Sequence, residues 1–194
     1  METFLRSSSV IYWHCPYIRS QAELLGRDRS GVDEVVRTCF EWVRDKIGRS
    51  GDKRLPGGAC SPSQVMATGD GRCFARIHLL AASPRFHEIP SGFCYQRLCF
   101  DAPGGAHTLH GLNAVYLPDH GWHRVDPRGN KDGVDAQFDP PQEKLAWLIR
   151  NDGEIDGGWL ESKVSFERAL SSLLDPITLH KFFTRLSKAM KAAE

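Results

Sequence analysis

The stretch Gly69-Asp70-Gly71-Arg72-Cys73-Phe74-Ala75-Arg76-Ile77-His78-Leu79-Leu80-Ala81-Ala82 decides how the rest of the chain is read. A glycine-rich turn delivers a cysteine onto the start of an apolar-periodic segment, which predicts a helix opening at Cys73. A helix N-terminus carries unpaired N–H groups and a partial positive charge. A thiol placed there is biased toward thiolate, its nucleophilic form. The ordinary role of a free cysteine is a small buried hydrophobe, but arrival through Gly-Asp-Gly-Arg argues against burial. The helix is expected to end near Ser83, because Pro84 disfavours helix in the residue before it.

Downstream, Leu109-His110-Gly111-Leu112-Asn113-Ala114-Val115-Tyr116-Leu117 and Gly121-Trp122-His123-Arg124-Val125-Asp126-Pro127 read as strands of one hairpin. Pro118-Asp119-His120-Gly121 is its turn. Antiparallel pairing about that turn brings His110 and Asp126 side by side. Cysteine, histidine and aspartate on such elements suit nucleophilic acyl chemistry: the imidazole pairs with the thiol, and the carboxylate orients the imidazole. Other histidines compete. His107 lies three residues from His110 and faces the opposite way in a strand. His78 follows Cys73 by five residues, on a different face of the helix, and His123 is a further neighbour. Asp126 before Pro127 also has an ordinary reading as a turn aspartate, which the hairpin geometry outweighs. Cys94 and Cys99, in an extended run at 92–100, are rival nucleophiles without a helix start beside them.

Upstream, Val32, Val35, Val36, Cys39, Phe40, Val43 and Ile47 recur at three- and four-residue steps, an amphipathic helix from about Gly31 to Ile47 with Ser30 or Asp33 as its cap. Cys39 falls on its apolar face. Val10 to Pro16 has an extended, aromatic character ended by Pro16, and Gln21 to Arg27 reads as a short helix or loop. Gly48 to Ala59 is a loop, and Ser61 to Ala67 a short helix with proline in its first turn. Gly129 to Pro141 is loop-like, and Gln142 to Ile149 a short strand or helix. Phe166 to Leu174 and Ile177 to Ala189 read as helices broken at Asp175-Pro176.

The length of 194 residues suits a single domain with a full core, its centre about 32–148 and a helical extension about 160–190. Lys+Arg 25 against Asp+Glu 24 leaves a net charge of +1, so nothing draws nucleic acid or an acidic membrane by bulk attraction. Met1 to Ser9 has no basic stretch followed by a long apolar run, so no secretory signal is read. No segment approaches the roughly 20 apolar residues that span a bilayer. The expectation is a soluble, cytoplasmic protein. Its cysteines form no CxxC pair, so no metal and no cofactor are expected, and most of the thiols should be free.

Gly71-Arg72-Cys73 leading a helix, Leu109 to Ala114, and Gly121 to Asn130 together resemble the transglutaminase-like superfamily, most nearly its small stand-alone bacterial members. The resemblance runs from about Val32 to Leu148. It implies an α+β fold with a papain-like core, the nucleophile helix packed on an antiparallel sheet, and here additional C-terminal helices. It also implies Cys73, His110 and Asp126 as the catalytic set, and a thioester acyl-enzyme formed at an amide or peptide carbonyl of a peptide, protein or small amide. The Cys73 N–H is the first oxyanion donor. The family pattern suggests an upstream indole N–H or amide as the second, with Trp13 and Gln64 the candidates; as core residue and helix surface they have ordinary roles too. Tyr95, Gln96 and Arg97 follow the nucleophile helix and are candidates to line the cleft, while Arg128 and Asn130 are candidates to hold the loop after Asp126. The chain departs from the family pattern at Ser83 to Pro90, where a longer helix and a Gly-Ile-Pro turn are usual. It also lacks the β-sandwich and calcium-site sequences of large animal transglutaminases. A catalytically silent scaffold of the same fold, and an amide-forming acyltransferase fed by a carrier-bound donor, with Arg72, Arg76 and Arg97 its hints, are the alternatives.

Overall fold

A computed structural model of the protein describes residues 1–8, 11–48, 62–71, 73–99, 107–151 and 154–159. After a 3-10 turn at Glu2–Phe4, the elements are α1 (Pro16–Gly26), α2 (Val32–Lys46), α3 (Pro62–Thr68), α4 (Cys73–Phe86), β1 (Ser91–Cys99), β2 (His107–Leu117), β3 (Gly121–Val125), β4 (Gln137–Asp139), β5 (Gln142–Lys144) and β6 (Ile155–Trp159). The fold is α+β. Strands order as β3-β2-β1-β6 in one sheet and β4-β5 in another. The pairs β2–β3, β1–β6 and β4–β5 are antiparallel. The chain forms two compact units, 1–93 with 112–147, and 94–111 with 148–194.

In the first unit α4 is the central element. Every residue from Ala75 to Arg85 is buried, as expected of a helix covered on all sides. It packs against α1, α2 and α3. The periodic residues of α2, Val35, Val36, Cys39, Phe40 and Val43, bury into the same core. Asp33 and Glu34 in its first turn, and Arg44 and Lys46 in its last, match the helix dipole. The N-cap of α2 is Gly31, rather than Ser30 or Asp33. Ser30 instead donates its N–H to the Glu34 carboxylate at 3.2 Å.

Three expectations are corrected. The helix from Cys73 does not stop at Ser83 but runs through Pro84 to Phe86. Proline there removes the N–H that would reach Leu80 O and crowds that carbonyl, and α4 ends two residues later. The end is held by Arg85, which donates Nε and Nη2 to Ser91 O at 3.0 and 2.6 Å and Nη1 to Arg6 O at 2.6 Å. Pro16 does not close an extended run; it opens α1 at a first-turn position, where its fixed φ suits a helix. The 129–141 region is not all loop: Gln137, Phe138 and Asp139 pair with Lys144, Glu143 and Gln142 around a cis Pro140-Pro141 peptide. Strands this short show no alternation to read.

Asn113, fully buried on β2, donates Nδ2 to Ile77 O of α4 at 2.9 Å and to Gly92 O of β1 at 3.4 Å. In the second unit, β1 and β6 pair through Cys94↔Trp159, Gln96↔Asp156 and Arg97↔Ile155, with an irregularity between Cys94 and Gln96. Cys99 N–H donates to Glu154 at 2.9 Å. The C-terminal helices expected at 166–174 and 177–189, the loop expected after Gly48 and the turn at 101–106 lie outside the described residues. Among the described residues no helix is long and apolar enough to cross a membrane.

Candidate active site

Cys73 is the first residue of α4. The turn before it explains both flanking glycines. Gly69 closes α3 with its N–H on Val65 O at 2.8 Å and takes φ +67, which favours glycine. A Cβ on Gly71 would meet Val65 Cγ2 at 2.8 Å, too close to fit. The turn is clamped from the far side by Gly48, which donates to Gly69 O at 2.8 Å and accepts from Gly71 N–H at 3.1 Å. The backbone that leads into Cys73 is therefore held on its N-terminal side.

Among the described cysteines, Cys15, Cys39, Cys94 and Cys99 are buried, while Cys73 is half-buried. Burial pushes the Cys39 thiol up to about 12, so it is an inert core group. The rivals Cys94 and Cys99 are thus enclosed, and Cys73 is the accessible thiol of this set.

Asp126 stands one residue beyond β3 and is 1% exposed. Its Oδ1 accepts the Arg128 N–H at 3.1 Å and its Oδ2 the Ala146 N–H at 3.3 Å. Two backbone donors therefore set the plane of the carboxylate. Val125, its neighbour, pairs with Asn113 of β2. His110 lies on β2 and is buried. Cys73 and Asp126 belong to the first unit and His110 to the second.

Trp13 stacks on His14 at 3.8 Å and meets the Phe86 ring edge-on at 6.2 Å. Phe86 ends α4, about 20 Å along the axis from Cys73 at 1.5 Å per residue. Trp13 thus sits at the opposite end of the helix from the thiol. Gln64 is exposed on α3, the element that leads into the glycine turn. Tyr95 and Gln96 are buried on β1 in the second unit, as is Arg97. The loop after Asp126 is held as expected of Asn130: its Oδ1 accepts Ala136 N–H at 2.8 Å and its Nδ2 donates to Ala136 O at 3.2 Å. Arg128 stacks over the Trp147 ring at 4.8 Å.

The competing histidines have core surroundings. His78 is fully buried on α4 beside Phe93, and desolvation, then the charge of Arg85, lowers it to about 3. His123 is buried against Phe138, and burial lowers it too. Both are held neutral at ordinary pH.

Sequence reasoning missed the grip on Asp126 from Ala146, and a hub at Arg76. That side chain leaves the first turn of α4 and is 1% exposed. It donates to carbonyls at the end of α2 and to Pro127 O. Nothing periodic marks such bonds, because every residue offers a carbonyl.

The chain is matched over residues 20–127 by the family model of the transglutaminase-like superfamily. That span includes Cys73, His110 and Asp126. No curated protein matches it. Among solved structures it is similar to a candidate cysteine protease from Cytophaga hutchinsonii, with 17% identity and a TM-score of 0.50 over 65% of this chain. It is also similar to a TGase, with 17% identity and a TM-score of 0.46 over 64% of this chain and 34% of the other. A candidate protease from Parabacteroides distasonis matches with 13% identity and a TM-score of 0.42 over 72% of this chain and 30% of the other. The chain spans 41% of the length of the Cytophaga protein. With more than half of its residues matched by the family model, the chain belongs to the transglutaminase-like superfamily.

Proposed function

We propose that this chain is a cysteine-dependent acyl-transfer enzyme with Cys73 as nucleophile, His110 as acid–base and Asp126 as the group that orients the imidazole. One observation carries the reading: within the matched span, the half-buried cysteine opens the buried central helix, while the other described cysteines are enclosed. The Cys73 thiolate attacks an amide or peptide carbonyl carbon and the oxygen takes up the negative charge, facing the N–H at the start of α4. The C–N bond then breaks, the amine leaves with a proton from His110, and a thioester remains. Water attacks the thioester, His110 takes its proton, and the acid is released with the thiol restored. Hydrolysis is favoured over transfer to an amine because water is always at hand. The substrate class is a peptide, a protein or a small amide.

The test is acyl trapping. Incubation with a panel of activated acyl and amide electrophiles, followed by intact mass and peptide mapping, should place one acyl group on Cys73, with none trapped by Cys73→Ala. Adducts confined to Cys94 or Cys99 would overturn the assignment.

A further inference from the structure

Arg76 heads the fully buried side chains by volume, at 1% exposure. It lies three residues after Cys73, one helical turn along α4. Its Nη2 donates to Val43 O at 2.9 Å and to Arg44 O at 3.0 Å, and its Nη1 to Ile47 O at 2.6 Å and Gly48 O at 3.3 Å. Its Nε donates to Pro127 O at 3.0 Å, and Nη2 makes a second, short bond to that same oxygen.

The chemistry of these partners explains why a cation is tolerated in the core. Val43, Arg44 and Ile47 offer the last carbonyls of α2, the negative end of its dipole, and a guanidinium there completes the helix terminus. Burying it without satisfying its N–H groups would be prohibitive. Only a planar fork with five donors reaches both the α2 end and Pro127 O from one side chain.

Three segments meet in this one group. The first is the opening turn of α4, which carries Cys73. The second is the α2 end with Gly48, which also clamps Gly69 and Gly71. The third is Pro127, the residue after Asp126. The Pro127 carbonyl shares one planar peptide with the Arg128 N–H, so the bonds at Pro127 O aim the donor that holds Asp126 Oδ1 at 3.1 Å. We infer that Arg76 is a positioning residue, which holds the Asp126–Pro127 backbone in register with the turn that presents Cys73. This rests on the proposed roles of Cys73 and Asp126; Arg76 itself touches no reacting atom.

The test uses the full chain with Arg76→Lys, which keeps the charge and loses the fork, and Arg76→Gln, which loses both. Each is melted, and Cys73 alkylation by iodoacetamide is followed against pH by peptide mass, below the melting range of all three proteins. Wild-type Cys73 should titrate clearly below the free-thiol value of about 8.5. Both variants should melt lower, and both should move the alkylation midpoint up by about one pH unit or more, as an imidazole loses its orienting carboxylate. Variant profiles that overlay the wild type, with lowered melting alone, make Arg76 a stability residue and overturn the inference. So does a normal profile in Arg76→Lys, which would mean that charge suffices, and so does the absence of any temperature at which either variant is folded. A wild-type thiol that already titrates like a free one instead sinks the proposed role of Cys73, a result read from wild type alone.

Discussion

At the residue scale, Cys73 separates from the other thiols by place rather than by type. It stands at a helix start and half-buried, whereas Cys39 sits in the core with its thiol raised to about 12. Limiting iodoacetamide near neutral pH should therefore modify Cys73 well ahead of Cys15, Cys39, Cys94 and Cys99, as peptide mapping would show. Cys73→Ala removes one sulfur from a half-buried helix start, so the melting free energy should change by less than about 1 kcal/mol, while turnover is lost entirely. His110→Ala should raise the midpoint of Cys73 alkylation toward about 8.5 with the melt still cooperative. Identical profiles in wild type and His110→Ala would mean that no thiol–imidazole pair forms, and the scaffold reading would take over.

At the element scale, a buried amide on β2 helps to join α4 to the sheet. Asn113 donates to Ile77 O and Gly92 O, so a single β2 side chain bridges α4 and β1. Asn113→Ala deletes both bonds and leaves a gap, and should cost about 1–3 kcal/mol in urea denaturation; an unchanged midpoint would show that the bridge is dispensable. The elements the sequence did reveal have strong local signals. The α2 apolar residues repeat at helical spacing over four turns, and Gly69 and Gly71 mark the break before Cys73. The passage of α4 through Pro84 was not legible, since its end is held by a partner distant in sequence, nor was the β4–β5 pair, whose strands are too short to show alternation. Arg85 secures the helix end against Arg6 and Ser91, while Arg37 and Arg44 of α2 donate to Phe138 O and Ala136 O beside β4.

At the scale of the whole molecule, each unit contains a group that makes folding sensitive to acid. In the first, burial and Arg85 lower His78 from 6.5 to about 3. The folded state keeps it neutral while the unfolded chain protonates it, so stability is intact above about pH 6.5 and falls as pH drops from there toward 3. In the second, N–H donors from Arg150, Cys99 and Asn151 hold Glu154 down at about 2 from 4.5. The folded state keeps it ionised, so its contribution is present above about pH 4.5 and is lost as pH falls toward 2. Melting temperature measured from pH 7 to 2.5 should decline in both windows. His78→Leu should flatten the upper one and Glu154→Gln the lower one; a wild-type curve flat between pH 6.5 and 4.5 would remove His78 as a determinant.

The sequence by itself determined what depends on neighbours along the chain: a cysteine at a helix start after a glycine turn, an amphipathic α2, and a β2–β3 hairpin placed by its turn. Those signals are local, because helical periodicity, glycine conformation and hairpin turns act over a few residues. With the motif spacing they were enough to indicate the superfamily and the α+β class. Only the tertiary structure decided that Cys94 and Cys99 are enclosed, that Trp13 lies at the far end of α4, and that Arg76 binds Val43, Ile47 and Pro127 into one hub. Burial depends on what covers a residue, and a hydrogen bond to a distant carbonyl leaves no mark in composition or periodicity. Arg76, read from the sequence as a hint of an entry site for a carrier-bound donor, is the buried clamp beside the proposed nucleophile, since its acceptors are assembled only when α2, α4 and the loop after β3 meet.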